Sequence, residues 1–214
     1  MSKSINFIPG VNTTSLILTI IYAILFGLLI SAYVTSIQLD IPVGEFTRDP
    51  AATFQTYPLI GVISNLGILL WCTTASVCLF TYMVHFSSSN IVVRQFLLTS
   101  GLFTTVLLFD DLFMLHEFVM PDVLGIPEAV IYSSYLVFIL IYLIKYRAYL
   151  LKTEYMILII ACGFFSLSIL SDVYLPQTGI VYLVEDGFKL FGIATWTLYF
   201  ISTCFVQMRK NLLY

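Results

Sequence analysis

The stretch from Phe96 to Phe118, FLLTSGLFTTVLLFDDLFMLHEF, decides the fold. No charge interrupts it from Phe96 to Phe109, and a bilayer core is crossed by about 20 mostly apolar residues in a helix. Then four ionisable residues arrive together: Asp110, Asp111, His116 and Glu117. A run this apolar reads as a membrane span. Charges within such a span are costly and mark functional positions.

Five further stretches share the apolar character. Expected spans are Thr14–Val34, Leu59–Val84, Phe96–Phe118, Ala129–Arg147, Tyr155–Asp172 and Val181–Gln207. They form one all-α domain over residues 1–214, a polytopic bundle of six transmembrane helices. The runs are unbroken rather than alternating, which excludes a β-barrel. Composition agrees. Of 214 residues, 60% are hydrophobic and 10% charged, against about 25% charged in soluble chains. Mean hydropathy is +1.00. Four cysteines are too few for a disulfide scaffold, and all four fall in expected spans. A net charge of -3 without a basic stripe argues against nucleic acid as a partner. The lipid bilayer is the expected partner, with a homo-oligomer as a further one.

Charge sets the expected orientation. Lys3, Arg94, Lys145, Arg147, Lys152, Arg209 and Lys210 fall on one side of a six-span topology, and of the acids only Glu154 joins them. The positive-inside rule then places both termini in the cytoplasm. Every proline except Pro9 falls in the opposite loops. The longest of these, Ser36–Tyr57, is long enough to act as a lid or as a plain connector. Short loops suggest a bacterial inner membrane. The first span is too long for a signal-peptide core. The sequon at Asn12 falls on the cytoplasmic side and is discounted.

Three expected spans carry ionisable groups near the outer border. The third has Asp110, Asp111, His116 and Glu117. The fifth ends in Ser168, Ser171 and Asp172. The sixth opens with Glu185, Asp186 and Lys189. At about 1.5 Å per residue, Asp110 and Asp111 lie roughly 6–8 Å inside that border. On a continuous helix Asp110 and Glu117 share a face, and so do Glu185, Asp186, Lys189, Gly192 and Trp196. Asn65, Cys72 and Ser76 would give the second span an inward polar stripe. His85 falls at the cytoplasmic border.

Six acids then face one lysine. Such a cluster cannot be fully ionised in a low dielectric without protons or a cation. The candidate cation- or proton-binding set is Asp110, Asp111, His116, Glu117, Asp172, Glu185 and Asp186, with Lys189 as counter-charge and expected to approach Asp110 or Asp111. A divalent metal would draw on Asp110, Asp111, His116 and Glu117, a set that suits hard ions. Plain roles compete: Glu185 and Lys189 are an i,i+4 pair, and acids suit a helix N-terminus.

The run Glu185-Asp186-Gly187-Phe188-Lys189-Leu190-Phe191-Gly192 resembles the last helix of microbial rhodopsins, where an acid four residues before the Schiff-base lysine is its counter-ion. That resemblance implies retinal held through Lys189. The chain departs from the family in having six spans rather than seven and no arginine on the third. The gathering of acids, serines and a histidine at one face is also similar to membrane-embedded hydrolases of the ceramidase and progestin-receptor-like kind. Those use several histidines on zinc, and here only His116 falls on the outer side. Three functions follow as expectations: small-solute or ion transport coupled to the acids, a metal-dependent enzyme activating water over a lipid-like substrate, or a structural protein whose charges fix helix packing.

Overall fold

The computed structural model describes residues 11–84, 90–176 and 179–212. Lys3, Pro9 and His85 lie outside the described residues. Every regular element among them is helical, and six helices are long and apolar enough to cross a membrane. The chain falls into two compact units, Met1–Ile60 and Gly61–Tyr214.

In the first unit α1 runs Val11–Leu39, past the expected end at Val34. Asp40, in a left-handed conformation (φ 53°), ends it. The expected loop then holds two single turns, α2 (Gly44–Thr47) and α3 (Pro50–Thr53). Asp49 caps α3: its carboxylate accepts the N–H groups of Ala51 and Ala52 at 2.8 and 3.3 Å, with Pro50 set at the first helical position.

The second unit holds α4 (Val62–Val84), α5 (Ile91–Leu112), α6 (Glu128–Leu150), α7 (Tyr155–Tyr174) and α8 (Gly179–Leu212). Local chemistry sets their ends. Gly61, at φ 68°, makes the turn into α4. The Asn90 side chain accepts the Val93 N–H and caps α5. Pro127 precedes α6, and Pro176 follows α7. Arg209 and Lys210 sit in the last turn of α8, where cations suit the dipole.

Helices α7 and α8, α8 and α4, and α4 and α5 lie backbone to backbone. Small residues permit this. A side chain on Gly101 would meet Leu79 at 2.7 Å, and one on Gly192 would meet the Phe165 ring at 2.7 Å. Among helices this apolar, small residues and interhelical hydrogen bonds hold the packing. The Thr74 and Thr197 hydroxyls are 2.9 Å apart, and Trp196 Nε1 donates to Thr104 at 3.2 Å. Helix α6 is held differently, through aromatic side chains. Phe138 stacks on Phe103 with centroids 4.2 Å apart. The Tyr142 and Tyr146 hydroxyls lie 2.6 and 2.9 Å from those of Ser100 and Thr99.

The inward face of α4 differs from the expected one. Gly67, Trp71, Thr74, Ala75, Cys78 and Thr81 are buried, while Asn65, Cys72 and Ser76 are exposed. The real stripe pairs a large aromatic with small residues that fit a close helix contact. A rule that looked only for polar groups selected the opposite side.

Candidate functional site: a charged cavity at one end of the second unit

Helix α5 does not continue through the acidic motif. It ends at Leu112, Met114 adopts a left-handed conformation (φ 49°), and a π-helical segment runs Leu115–Val123. The cause is local. Asp110, 3% exposed, accepts the His116 backbone N–H on Oδ1 at 3.0 Å. The carboxylate thus satisfies the first free donor of the new segment, as a cap does. Along a straight helix, six residues rise about 9 Å and face about 120° apart, so Asp110 and His116 could not meet. The break folds His116 back until Nδ1 lies 2.6 Å from Asp110 Oδ2. The two form an ion pair when the imidazole is protonated. The N–H is not aligned on that oxygen, however, so Nδ1 makes no regular hydrogen bond.

Glu117 joins this pair to a second one. Its Oε1 lies 3.3 Å from His116 Nε2 and 3.7 Å from Lys189 Nζ. Lys189, on α8, reaches Asp111 Oδ1 at 2.9 Å, and Trp71 Nε1, on α4, donates to Asp111 Oδ2 at 2.8 Å. Each oxygen of Asp111 therefore has its own partner. Among the described residues, the ion pairs of Lys189 are to Asp111 and Glu117. The i,i+4 pairing with Glu185 that the spacing suggested is not made.

Electrostatics at the segment outside the spans follow from these contacts. Burial opposes a charge on His116, but the adjoining carboxylates of Asp110 and then Glu117 outweigh it and push the imidazole up to about 9. The His116 hydrogen bond holds the Glu117 carboxyl down to about 2. Both shifts favour the charged forms, as expected of a matched pair.

Asp110, Asp111, His116, Glu117, Asp172, Glu185 and Lys189 all line one cavity of about 220 Å³. Asp172 and Glu185 approach from α7 and α8. Asp186 is exposed and does not line it. The floor and walls are aromatic: Trp71, Phe103, Phe165 and Trp196, with Tyr132 and Tyr135 of α6. Trp71 stacks on Phe165 at 5.7 Å and meets Trp196 edge-on at 6.0 Å. Reading the sequence for charge missed Trp71, Tyr132, Tyr135 and Phe165. The signal for Trp71 was present: it belongs to the i, i+3, i+4 stripe that runs from Gly67 to Thr81 on α4. Asp110, Asp111 and His116 each offer a ligand atom within 4.8 Å of the others, close enough to share an ion. Lys189 is already seated on Asp111, however.

A larger groove of about 570 Å³ lies at the opposite end of the same helices, among Asn90, Lys152, Glu154, Gln207 and Lys210. Among the described residues it holds no converging buried set of ionisable groups.

The fold and the cavity define an all-helical chain with six helices long and apolar enough to cross a membrane, and a mixed acid–base cavity at one end of five of them. The chain belongs to the family described as "Domain of unknown function (DUF8692)", which matches residues 18–203. No curated protein and no solved structure matches it.

Proposed function

We propose that this chain is an integral protein of a bacterial inner membrane, with both termini cytoplasmic, that binds protons or a cation at its outer end in the course of small-solute or ion transport. The observation carrying the reading is the convergence of five carboxyl groups and two bases on one cavity. With all groups charged, an acidic excess of three faces aromatic walls of low dielectric, a balance that favours uptake of a proton or a cation. The Lys189–Asp111 and His116–Asp110 pairs supply internal counter-charges that a bound cation could exchange with. A homo-oligomer fits, since the membrane-length helices leave much apolar surface exposed.

Purified protein in detergent tests the reading. Its melting temperature should vary with pH between about 5 and 8, or rise with an added cation by mass action. Asp110→Asn and Asp111→Asn should abolish that dependence. Indifference to both pH and cations would leave only a structural role for the charges. Orientation is tested separately with single cysteines in a cysteine-free background. Asp49→Cys should be labelled from outside, and labelling from the cytoplasm alone reverses the topology.

A metal-dependent membrane enzyme is the second reading, favoured by the Asp110, Asp111 and His116 donor set. There a divalent ion would activate water over a lipid-like substrate. Stabilisation by a divalent ion alone, lost in His116→Ala, would select it over the first.

A further inference from the structure

Besides its outer end, where Glu117 is exposed, the cavity reaches the surface partway along the helices. Four of its lining residues are also exposed: Glu117 at the outer end, and, along the helices, Leu136 of α6 at 58%, Ile169 of α7 at 37%, and Ser166 of α7. Leu136 lies on α6 and Ser166 and Ile169 on α7, helices whose backbones hardly approach among the described residues, whereas α7–α8, α8–α4 and α4–α5 are closed. Leu136 is eight residues into α6, about 12 Å from its start. Ile169 is five residues from the end of α7, about 7 Å. If these helices span a bilayer, the opening faces acyl chains, not water.

Inside the opening the cavity is two-sided. Its wall toward α4 and α8 is aromatic, with Trp71, Phe165 and Trp196 in mutual contact. Its outer end carries the acidic excess. Buried His116 lines it too, with Nδ1 lacking an aligned hydrogen bond. About 220 Å³ has room for roughly seven water-sized groups. That accommodates a small head and the first few methylenes, so a longer chain must leave through the gap.

We propose that the cavity takes a single-chain amphiphile with an ammonium head, entering from the bilayer between α6 and α7, its head among Glu117, Asp172 and Glu185 and its chain leaving past Leu136 and Ile169. This rests on the reading that the cavity binds a cation, and it names which one. Acids supply the charge complement, and the indole and phenol faces supply cation–π contact. A small hydrated cation has no use for the aromatic wall or for a door at this depth.

The chain has two tryptophans, and both line the cavity, so intrinsic fluorescence reports its occupancy. The protein in a maltoside micelle is titrated with 11-bromoundecyltrimethylammonium, whose bromine quenches nearby indole. Saturable quenching is expected, at least tenfold tighter than with 11-bromoundecanol. A hundredfold excess of tetramethylammonium should not reverse it. Asp172→Asn and Glu185→Gln should each weaken the ammonium preference severalfold, and Ile169→Phe should weaken chain entry without changing the melting temperature. Equal quenching by the alcohol overturns the ammonium head. Full competition by tetramethylammonium overturns the lateral route and leaves the cation site standing. If no amphiphile quenches while stability still depends on pH or cations, this inference alone fails. If that dependence is missing too, the cation reading fails with it.

Discussion

Lys189→Met removes the one lysine of the cavity and leaves Asp111 with Trp71 as its remaining named donor. The Asp111 side chain is 10% exposed and Lys189 is 30% exposed, at 2.9 Å. Breaking a buried pair by deleting one partner costs about 3–5 kcal/mol, mostly from the stranded charge. Partial exposure of the lysine lets water reach the orphaned carboxylate, so the lower end applies, about 3 kcal/mol. Adding Asp111→Asn removes the stranded charge, and an asparagine oxygen can still accept from Trp71 Nε1. The double variant should therefore recover about 2 kcal/mol of the loss. Unfolding by a graded detergent mixture, followed by Trp fluorescence and circular dichroism, measures all four corners of the cycle. A double variant no more stable than Lys189→Met would refute the argument, because the loss would then come from lysine packing rather than an uncompensated charge.

Other perturbations follow from the same contacts. The folded His116 pKa is raised, from 6.5 to about 9, so its stabilisation is complete below about 6.5 and is lost as pH rises through about 9. The Glu117 pKa is lowered, from 4.5 to about 2, so its contribution is complete above about 4.5 and lost as pH falls through about 2; unfolding against pH should plateau between about 5 and 6.5, and His116→Gln should flatten the alkaline limb. Trp71→Phe keeps an aromatic ring but shrinks it and deletes the hydrogen bond to the Asp111 carboxylate, whose loss alone costs about 1.5–3 kcal/mol on the same unfolding assay. Gly192→Ala drives a methyl to 2.7 Å from the Phe165 ring, and overpacking of this kind costs about 1–3 kcal/mol; it should also change Trp fluorescence, since Phe165 stacks on Trp71.

The six long helices were legible because apolar length is a one-dimensional property. Their ends were legible where proline set them, whereas the Asn90 cap starts α5 at Ile91, five residues before the expected Phe96. The meeting of Lys189 with an aspartate was legible too, from matching depth on two apolar helices. What the sequence concealed lies in the backbone between Leu112 and Leu115. Periodicity assumes that a helix continues, and on that assumption Asp110 pairs with Glu117 by face and stands apart from His116. In the structure Asp110 itself breaks the register by accepting the His116 N–H. A residue read from the sequence as a cation or proton ligand is also one that shapes the site.

The same break accounts for the charge balance. A straight α5 would carry His116 and Glu117 onward along its axis, beyond the depth of Lys189, and leave Asp110 and Asp111 sharing one lysine. The turn at Met114 returns both residues, so that three carboxylates and two bases form a chain from Asp110 through His116, Glu117 and Lys189 to Asp111. Within that chain the charge is nearly matched, and the acidic excess moves to the side where Asp172 and Glu185 approach. The cavity therefore has one wall whose charges are paired among themselves and another, toward Asp172 and Glu185, that carries the acidic excess. On the proposed reading, a ligand's positive head meets the second wall, with Glu117 at its border.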